Sequence, residues 1–328
     1  MRKTIYSVLG LAVVVSLAVT TISCGGKKSN NNAEGEQLEG RISISGAFAL
    51  YPLAVKWAEE FQKLNPGVKI EVDGGGAGKG MTDVLADQVD IAMVSREVSP
   101  EETQKGAIGF PTAKDAVVPT INQNNPFYDQ LVKHGINKQA ASDLWIEGKI
   151  KTWGQLLGTQ DQTKIALFTR SDACGAAETF AQWLGKHQED LLGEGVNGDP
   201  GVATAVSKNE LSIGFNNIGY AYDNNTLKPL DGIRVLPVDG NDNGKIDPDE
   251  EFYGSKDQIT KAIAEGRYPS PPARDLYLVT KGLPTDPVVI AFLKYVLTDG
   301  QKLNAPVGYI EISQDKLDKA LDKLKPSK

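Results

Sequence analysis

The sequence predicts an α/β fold, in which mainly parallel strands are flanked by helices. Two observations carry this prediction. Between residues 42 and 104, short apolar runs of strand length alternate with segments whose apolar residues recur at helical spacing. Apolar strands followed by helical patterns return between residues 116 and 297. Strand, helix, strand, helix, strand is the order that builds a parallel sheet with helices on its faces.

The first elements follow from local signals. Apolar runs predict strands at residues 42–44, 68–72 and 90–94. Pro52 is favourable at the start of a helix, and one face of that helix carries Leu53, Trp57, Phe61 and Leu64. A second helix has one face formed by Met81, Val84 and Leu85. Ser99 and Glu102 have the spacing of a capping box, which predicts that a third helix begins there.

Later in the chain the same signals are spaced more widely. Strands are predicted at residues 116–118, 165–168 and 276–279, and a strand with a turn at residues 214–222. Helices are predicted at residues 177–184 and 288–297. These elements repeat the style of the first third of the chain, but the sequence shows no repeat at a fixed period.

The first 23 residues are typical of a signal peptide. A basic start precedes an apolar run at residues 8–19, which is shorter than the roughly 20 residues that span a bilayer. The small residues before Cys24 resemble the lipobox of bacterial lipoproteins, in which the cysteine is acylated, although Thr21 stands where Leu is usual. Residues 24–39 are mostly polar and predict a flexible tether. The alternative is an ordinary secretory signal with an incidental cysteine.

The composition excludes several classes of protein. The formal net charge is −7, and removal of Arg2 and Lys3 with the signal peptide lowers it to about −9, so no nucleic-acid partner is expected. With Cys24 acylated, Cys174 is the remaining cysteine, which excludes a disulfide framework. The two histidines show no metal-ligand spacing and leave little from which to build a catalytic triad. The composition therefore argues against an enzyme.

A series of short motifs adds a more specific signal. They lie at residues 45–54, 57–61, 65–68, 74–80, 89–96, 148–153, 170–180, 270–279 and 299–301. Together, and in this order, they resemble the phosphate-binding proteins of ABC transporters over nearly all of residues 41–312. A match that is ordered over most of the chain is far more specific than any one glycine loop.

The resemblance implies a type II periplasmic binding protein, with two α/β lobes and a ligand cleft between them. Residues 40–115 and 276–328 would form one lobe, and residues 116–275 the other. It also implies phosphate or a related oxyanion as the ligand, permease subunits of an ABC importer as partners, and a monomer. With the signal peptide and the lipid, the protein is expected to be exported and anchored at a membrane, facing the periplasm or the cell exterior.

Three small-residue loops, each before a predicted helix, form the expected site: residues 46–51, 74–80 and 173–177. A helix N-terminus carries free N–H groups and a partial positive charge, so three of them aimed at one cleft can bind an anion through the main chain. Arg170 resembles the anion-binding arginine of the family, and Arg96 belongs to a Ser-Arg pair that resembles one in relatives. A guanidinium binds an oxyanion with two parallel hydrogen bonds. For each loop alone, the alternative is a tight strand-to-helix turn.

The predicted ligand-binding residues are Ala47, Phe48, Ala49, Ala77, Gly78, Ser95, Arg96, Arg170, Asp172, Cys174, Gly175 and Ala176. Several of them depart from the family, because hydroxyl side chains of relatives are replaced by Ala47, Phe48, Ala49, Ala77, Cys174 and Ala176. Ser95 stands where some relatives have a carboxylate that accepts the ligand's proton. Each lost hydrogen bond to a charged ligand is worth about 1.5–3 kcal/mol. Either main-chain donors compensate, or the ligand is another oxyanion or a larger molecule with an anionic end, for which Phe48 offers an apolar contact.

Residues 239–250 fit the twelve-residue calcium loop at its defining positions. The predicted ligands at places 1, 3, 5, 7, 9 and 12 are Asp239, Asn241, Asn243, Lys245 through its carbonyl, Asp247 and Glu250, and Gly244 makes the sharp turn at place 6. The preceding residues 235–238 are predicted to be extended, so a structural calcium site is expected rather than a sensor. The alternative is an acidic surface turn.

Two other functions remain open from the sequence. A phosphoryl-transfer enzyme could use the anion site, with Cys174 as a nucleophile near a helix N-terminus, where thiol pKa values fall. A surface scaffold or adhesion protein could keep the calcium loop and have lost the ligand.

We predict that Cys24 carries the lipid. The acyl chains attach to this thiol, so Cys24→Ala should leave a precursor that incorporates no lipid, whereas the matched variant Cys174→Ala should incorporate it normally. Growth with a radiolabelled fatty acid, followed by gel electrophoresis, measures the incorporation. Normal labelling of the Cys24→Ala protein would contradict the prediction.

Overall fold

The computed structural model describes residues 38–325. The predicted signal peptide, Cys24 and most of the predicted tether lie outside the described residues, so the structure does not bear on these predictions. Among the described residues, no helix combines the length and the apolar character needed to cross a membrane.

The described residues form nine strands and thirteen α-helices. The strands are β1 Glu39–Gly46, β2 Gly67–Gly74, β3 Ile91–Val94, β4 Ala107–Asn122, β5 Ala166–Arg170, β6 Glu194–Val196, β7 Ser212–Asn217, β8 Ile233–Val235 and β9 Ala273–Lys281. The helices are α1 Tyr51–Leu64, α2 Ala77–Leu85, α3 Pro100–Gln104, α4 Tyr128–His134, α5 Lys138–Trp145, α6 Trp153–Leu157, α7 Gly175–Trp183, α8 Gly198–Lys208, α9 Ile218–Ala221, α10 Lys256–Ala264, α11 Pro287–Leu297, α12 Asn304–Val307 and α13 Gln314–Lys323.

The strands join in the order β2-β1-β3-β9-β4-β7-β5-β6, and β8 pairs with β4. The pairs β1–β2, β1–β3, β5–β6 and β5–β7 are parallel. Every antiparallel pair among the described residues involves β4 or β9. Two groups of parallel strands are therefore connected by one long antiparallel pair, and the α/β fold that the sequence predicts is confirmed.

The long pair of β4 and β9 passes between two hydrophobic cores. One core draws its buried side chains from residues 42–113 and 276–324, and the other from residues 116–273. Along β4 the change falls between Ala113 and Ala116, and along β9 between Ala273 and Leu276. Each strand thus leaves one core and enters the other within three residues, at the same level of the sheet.

Helix α1 shows how local sequence decides packing. Its buried residues include Leu53, Trp57 and Phe61, as the helical spacing predicts. The indole Nε1 of Trp57 donates to the carbonyl of Gly300 at 3.0 Å, so its polar atom is satisfied inside the core. Leu64 was predicted on the same face, and this is wrong: it is 69% exposed, because it is the last residue of the helix and projects beyond the core.

Most other predicted elements match the structure within a few residues, and the capping box is formed. Ser99 Oγ accepts from the N–H of Glu102 at 3.2 Å, and the Glu102 carboxylate accepts from the N–H of Ser99 at 2.8 Å. The strand and turn expected at residues 214–222 is instead the end of β7 followed by α9. β7 ends at Asn217, whose N–H leaves the sheet and donates to the Asp199 carboxylate at 3.0 Å.

Candidate functional site

Arg170, the last residue of β5, lies at the centre of the predicted site with 1% of its side chain exposed. Its Nε and Nη2 donate to the two carboxylate oxygens of Asp172, at 2.8 and 2.6 Å. Its Nη1 donates to Asp199 Oδ2 at 2.6 Å. One further N–H group on each terminal nitrogen remains available. The guanidinium is therefore fixed in orientation and still able to donate to a ligand.

Both carboxylates also bind main-chain donors. Asp172 Oδ1 accepts from the N–H of Gly198 at 2.9 Å, at the start of α8, and Asp199 Oδ1 accepts from the N–H of Asn217 at 3.0 Å. Burial opposes ionisation of Asp172, but the hydrogen bonds and charge of Arg170 outweigh it and hold the pKa of Asp172 below its ordinary value. Asp172 is therefore ionised at neutral pH, and the two carboxylates together tie β5, α8 and the end of β7 to one another.

The three predicted loops are joined by main-chain hydrogen bonds beside Asp172, the partner of Arg170. The N–H groups of Gly75 and Gly76 donate to the carbonyl of Gly46 at 2.8 and 3.0 Å, which joins the first loop to the second. The N–H of Gly78 donates to the carbonyl of Ala173 at 3.0 Å, which joins the start of α2 to the loop before α7. Gly76 has a φ of +87°, and a Cβ there would lie 2.9 Å from Asp172 Oδ2. A Cβ on Gly175 would overlap the main chain and hydroxyl of Ser95. Glycine is required at both positions, at Gly76 for conformation and space and at Gly175 for space.

Main-chain donors without acceptors collect on these loops. Within residues 38–325, no acceptor is in hydrogen-bonding geometry with the N–H groups of Phe48, Ala49, Ala77, Gly175 and Ala176. Ala49, Ala77 and Ala176 are buried. Buried N–H groups are nearly always paired, because an unpaired one loses its hydration without compensation. The arrangement provides donors for an anion, and it does so without side chains.

Cys174 is the N-cap of α7, and its surroundings keep its thiol neutral. Its Sγ accepts from the N–H of Ala177 at 3.4 Å, and its own N–H donates to Gln188 Oε1 at 3.0 Å. Burial raises the pKa of the Cys174 thiol to about 12. Gln188 also donates through Nε2 to the carbonyl of Asp172 at 2.6 Å. It thereby holds the loop, a role that no sequence motif indicated.

Arg96 lies at the rim, and its charge is already engaged. Its Nη1 and Nη2 donate to the two carboxylate oxygens of Glu102 at 2.8 and 2.7 Å, and Nη1 also donates to the carbonyl of Glu97. Ser95, the preceding residue, is buried against Gly175. Arg96 thus lies at the cleft, but its guanidinium binds Glu102, a member of the capping box of α3.

A cavity of about 750 Å³ opens beside Arg170 and extends to the surface. Cys174 and Arg96 line it, together with Glu178 and His187, which sequence reasoning did not assign to the site. His187 Nδ1 lies 3.0 Å from Glu178 Oε1, and this hydrogen bond raises the pKa of the exposed His187 ring. A larger cavity, of about 1340 Å³, is lined by residues such as Tyr128 and by none of the predicted binding residues. Of the predicted binding residues, Gly78, Arg96, Arg170 and Cys174 line the smaller cavity, so the site is assigned to its Arg170 end; the residues with unpaired N–H groups are not among those that line it.

The calcium-loop residues form a second, separate cluster. Asp239 accepts from the N–H groups of Asn243 and Gly244 at 3.2 and 2.8 Å, and Glu250 accepts from those of Gly240 and Asp247 at 2.8 and 3.1 Å. The first and twelfth residues of the motif are buried, at 3% and 8% exposed. The loop is thus folded around its own carboxylates.

Asp247 is engaged differently from the other two acidic residues. Lys245 Nζ donates to its Oδ1 at 2.5 Å, and the side-chain amides of Asn241 and Asn243 donate to its Oδ2 at 3.1 and 2.6 Å. Within the described part of the chain, no group of three or more His, Cys, Asp or Glu residues is arranged to hold a metal ion. The two buried carboxylates and two Asn side chains are the oxygen donors that calcium prefers, so the residue types fit while the spacing of the side chains is not that of a metal site.

The fold and the site define a class of protein. A mixed sheet with two cores, and three joined loops before helices beside a buried arginine, is the architecture of a periplasmic binding protein. Residues 31–300 match the family model described as the PBP superfamily domain. The chain belongs to this superfamily.

Relatives make the comparison more specific. The chain is 25% identical over 325 residues to the phosphate-binding protein PstS of Staphylococcus epidermidis, covering 97% of this chain and 91% of that protein. It is 27% identical over 313 residues to PstS of Staphylococcus haemolyticus, covering 93% and 90%.

Solved structures share the fold. One, from Clostridium perfringens, is described as a phosphate ABC transporter substrate-binding protein with bound phosphate; it has a TM-score of 0.68 and 23% identity, covering 84% of this chain and all of that one. An ABC-type phosphate transport receptor from Vibrio cholerae has a TM-score of 0.58 and 24% identity, covering 83% and 100%. At these identities the structures establish the fold alone.

We predict that Cys174 is unreactive in the folded protein. In a Cys24→Ser variant it is the remaining thiol, and burial with a raised pKa leaves little thiolate at pH 8. Native protein should therefore react with a chromogenic disulfide reagent at least about a hundredfold more slowly than protein unfolded in guanidinium. The unfolded sample is the control for reagent and thiol integrity, and equal rates in both states would show that the loop is open.

Proposed function

We propose that this protein is the solute-binding component of an ABC importer and that it binds phosphate in the cleft beside Arg170. One observation carries the proposal: three loops with unpaired main-chain N–H groups are joined to one another beside Asp172, the carboxylate that fixes the Arg170 guanidinium. A group of fixed donors in a water-poor site suits a small oxyanion, since donors to a charged acceptor form the stronger hydrogen bonds. The relatives named as phosphate-binding proteins support the choice of ligand.

The missing hydroxyl groups do not exclude an anion site. Main-chain donors are unaffected by a change of side chain, so the N–H groups of Ala77 and Ala176 serve as well as those of Ser or Thr. Each such bond to a charged ligand contributes about 1.5–3 kcal/mol. The charges of Asp172 and Asp199 together exceed that of Arg170, so the guanidinium alone does not make the site positive. Affinity must then depend largely on the number of N–H donors that reach the ligand.

An enzymatic function is not supported by the surroundings of Cys174. A nucleophilic cysteine needs a lowered pKa and a base within reach, whereas burial raises the pKa of this thiol to about 12. Glu178, a carboxylate that lines the cavity together with Cys174, accepts from His187 and Gln182 instead. The relatives are named as binding proteins and not as enzymes.

The proposal includes two lobes and an anchor. The lobes are residues 40–115 with 276–328, and residues 116–275, which agrees with the membership of the two cores. Cys24 carries the lipid, and residues 24–39 are the tether that lets the lobes reach the permease. Closing the lobes around the anion would then produce the form that the permease recognises.

We predict that phosphate binding depends on Arg170. Arg170→Lys keeps one positive charge, but an ammonium group cannot donate two parallel hydrogen bonds to Asp172 and also bind a ligand. It should therefore weaken phosphate binding by about 2–5 kcal/mol, measured by isothermal titration calorimetry. The matched control is Arg267→Lys, because Arg267 pairs with Glu265 on the surface and lies outside the site.

Competing anions then decide the identity of the ligand. Sulfate, molybdate and phosphorylated organic molecules should bind less tightly than phosphate if the proposal is right. Tight phosphate binding that is unchanged in Arg170→Lys would show that the site lies elsewhere. Failure of every anion to bind or to raise the melting temperature would favour a scaffold protein.

We further propose that residues 239–250 bind one structural calcium ion. The support comes from charge: Asp239 and Glu250 are buried, and neither forms an ion pair with Lys or Arg among residues 38–325. Buried carboxylates are stable only when their charge is compensated. A calcium ion would supply that compensation and would draw Asp247 away from Lys245.

We predict that chelation lowers the thermal midpoint of unfolding. An ion that binds only the folded protein stabilises it by mass action, about 2.7 kcal/mol at a free concentration one hundred times its Kd. Glu250→Gln removes one charge from the loop and should abolish most of the calcium-dependent shift, whereas Glu251→Gln, beside it and outside the twelve residues, should not. An identical midpoint in calcium and in excess chelator would reject the site.

A further inference from the structure

A buried ion pair marks the level at which the two long strands change cores. Asp115 on β4 and Arg274 on β9 are cross-strand partners in the antiparallel register. Arg274 Nε donates to Asp115 Oδ1 at 2.9 Å, and both residues are buried. They lie between Ala113 and Ala116 on one strand and between Ala273 and Leu276 on the other, where the packing passes from the first core to the second.

The remaining donors of Arg274 reach two elements of the binding site. Its Nη1 donates to Thr179 Oγ1 at 3.2 Å, in helix α7, and its Nη2 donates to Asn217 Oδ1 at the end of β7. Helix α7 presents the N–H groups of Gly175 and Ala176 at its first turn. One guanidinium thus joins the strands between the cores to the helix that supplies main-chain donors.

The contacts continue from Asn217 to the ligand arginine. The N–H of Asn217 donates to Asp199 Oδ1 at 3.0 Å, and Asp199 Oδ2 accepts from Arg170 Nη1 at 2.6 Å. The Asn217 side chain therefore binds Arg274 while its main chain binds the carboxylate that holds Arg170. Every member of this chain of contacts is buried, at 7% exposure or less, so its polar groups depend mainly on one another for hydrogen-bond partners.

We propose that Arg274 is a positioning residue for the anion site, a role that rests on the proposed function. It does not touch the ligand. It holds Asn217, and through Asp199 the guanidinium of Arg170, and through Thr179 it holds the first turns of α7. Because the same guanidinium is paired with Asp115 at the crossing of the cores, the orientation of the site is coupled to the geometry of the two strands that connect them.

The geometry calls for arginine in particular. Asp115, Thr179 and Asn217 accept from three different nitrogens of one planar group. A lysine ammonium has its donors on a single atom at the end of a flexible chain. It cannot reach three acceptors that are arranged around a planar guanidinium. Arg274→Lys therefore keeps the charge beside Asp115 and removes the connection to the site.

The test compares Arg274→Lys with the matched control Arg267→Lys. Phosphate affinity is measured by calorimetry and stability by thermal unfolding, in the full lipid-free chain with Cys24→Ser. We expect Arg274→Lys to weaken phosphate binding about tenfold and the control to leave it unchanged. Asn217→Leu keeps the main-chain N–H but removes the acceptor for Arg274, and should weaken binding to a similar extent. The double variant should be no weaker than the weaker single variant, because both changes break one connection.

Hydrogen exchange gives a readout that does not need a ligand. The amides of Gly198 and Asn217 donate to the two carboxylates that hold Arg170, and in Arg274→Lys they should exchange faster while amides of β1 and β2 keep their rates. If Arg274→Lys and Asn217→Leu lower the melting temperature but leave phosphate affinity and these two amides unchanged, Arg274 is structural and the inference is wrong. If the unmodified chain binds no phosphate, the proposed function is wrong, and the exchange rates alone decide whether Arg274 orders Arg170.

Discussion

A guanidinium that is almost completely removed from water requires counter-charge and acceptors on several sides, and this requirement organises the structure around Arg170. Asp172 and Asp199 meet it, and each is fixed in turn by a main-chain donor from another element. Isolated burial of such a charge would be strongly unfavourable. The end of β5, the start of α8 and the end of β7 are therefore assembled by one electrostatic constraint, and the loops carrying free N–H groups are positioned against the result.

The same principle recurs where β4 and β9 cross between the cores. Both strands are hydrophobic on either side of this point, yet a charged pair is buried in the middle. Hydrophobic contact is non-directional and would permit small displacements of one core relative to the other. Hydrogen bonds from a planar guanidinium are directional and oppose such displacements. Packing thus supplies most of the stability of the two cores, whereas the buried polar contacts define how the elements around the cleft are oriented.

Local signals predicted much of the fold, and the missing parts have a common physical cause. Short-range patterns can be recognised in the sequence alone. They include the apolar runs, the capping box at Ser99 and the small-residue loops before α2 and α7. Asp199 and Arg274 are far from Arg170 in sequence, and the motif at residues 270–279 did not indicate a role for Arg274, so their contacts with the site arise only when the chain is folded. Arg96 shows the converse case. Its sequence context predicted a contact with the ligand, whereas in the structure its guanidinium donates to Glu102.

The absence of a side chain at Gly175 has an evolutionary consequence. Its backbone lies so close to Ser95 that the space normally taken by a Cβ is occupied by the Ser95 carbonyl and hydroxyl. A longer residue at position 95, such as an acidic one, requires the start of α7 to move, and any residue other than glycine at position 175 requires the end of β3 to move. Changes at the two positions are therefore epistatic.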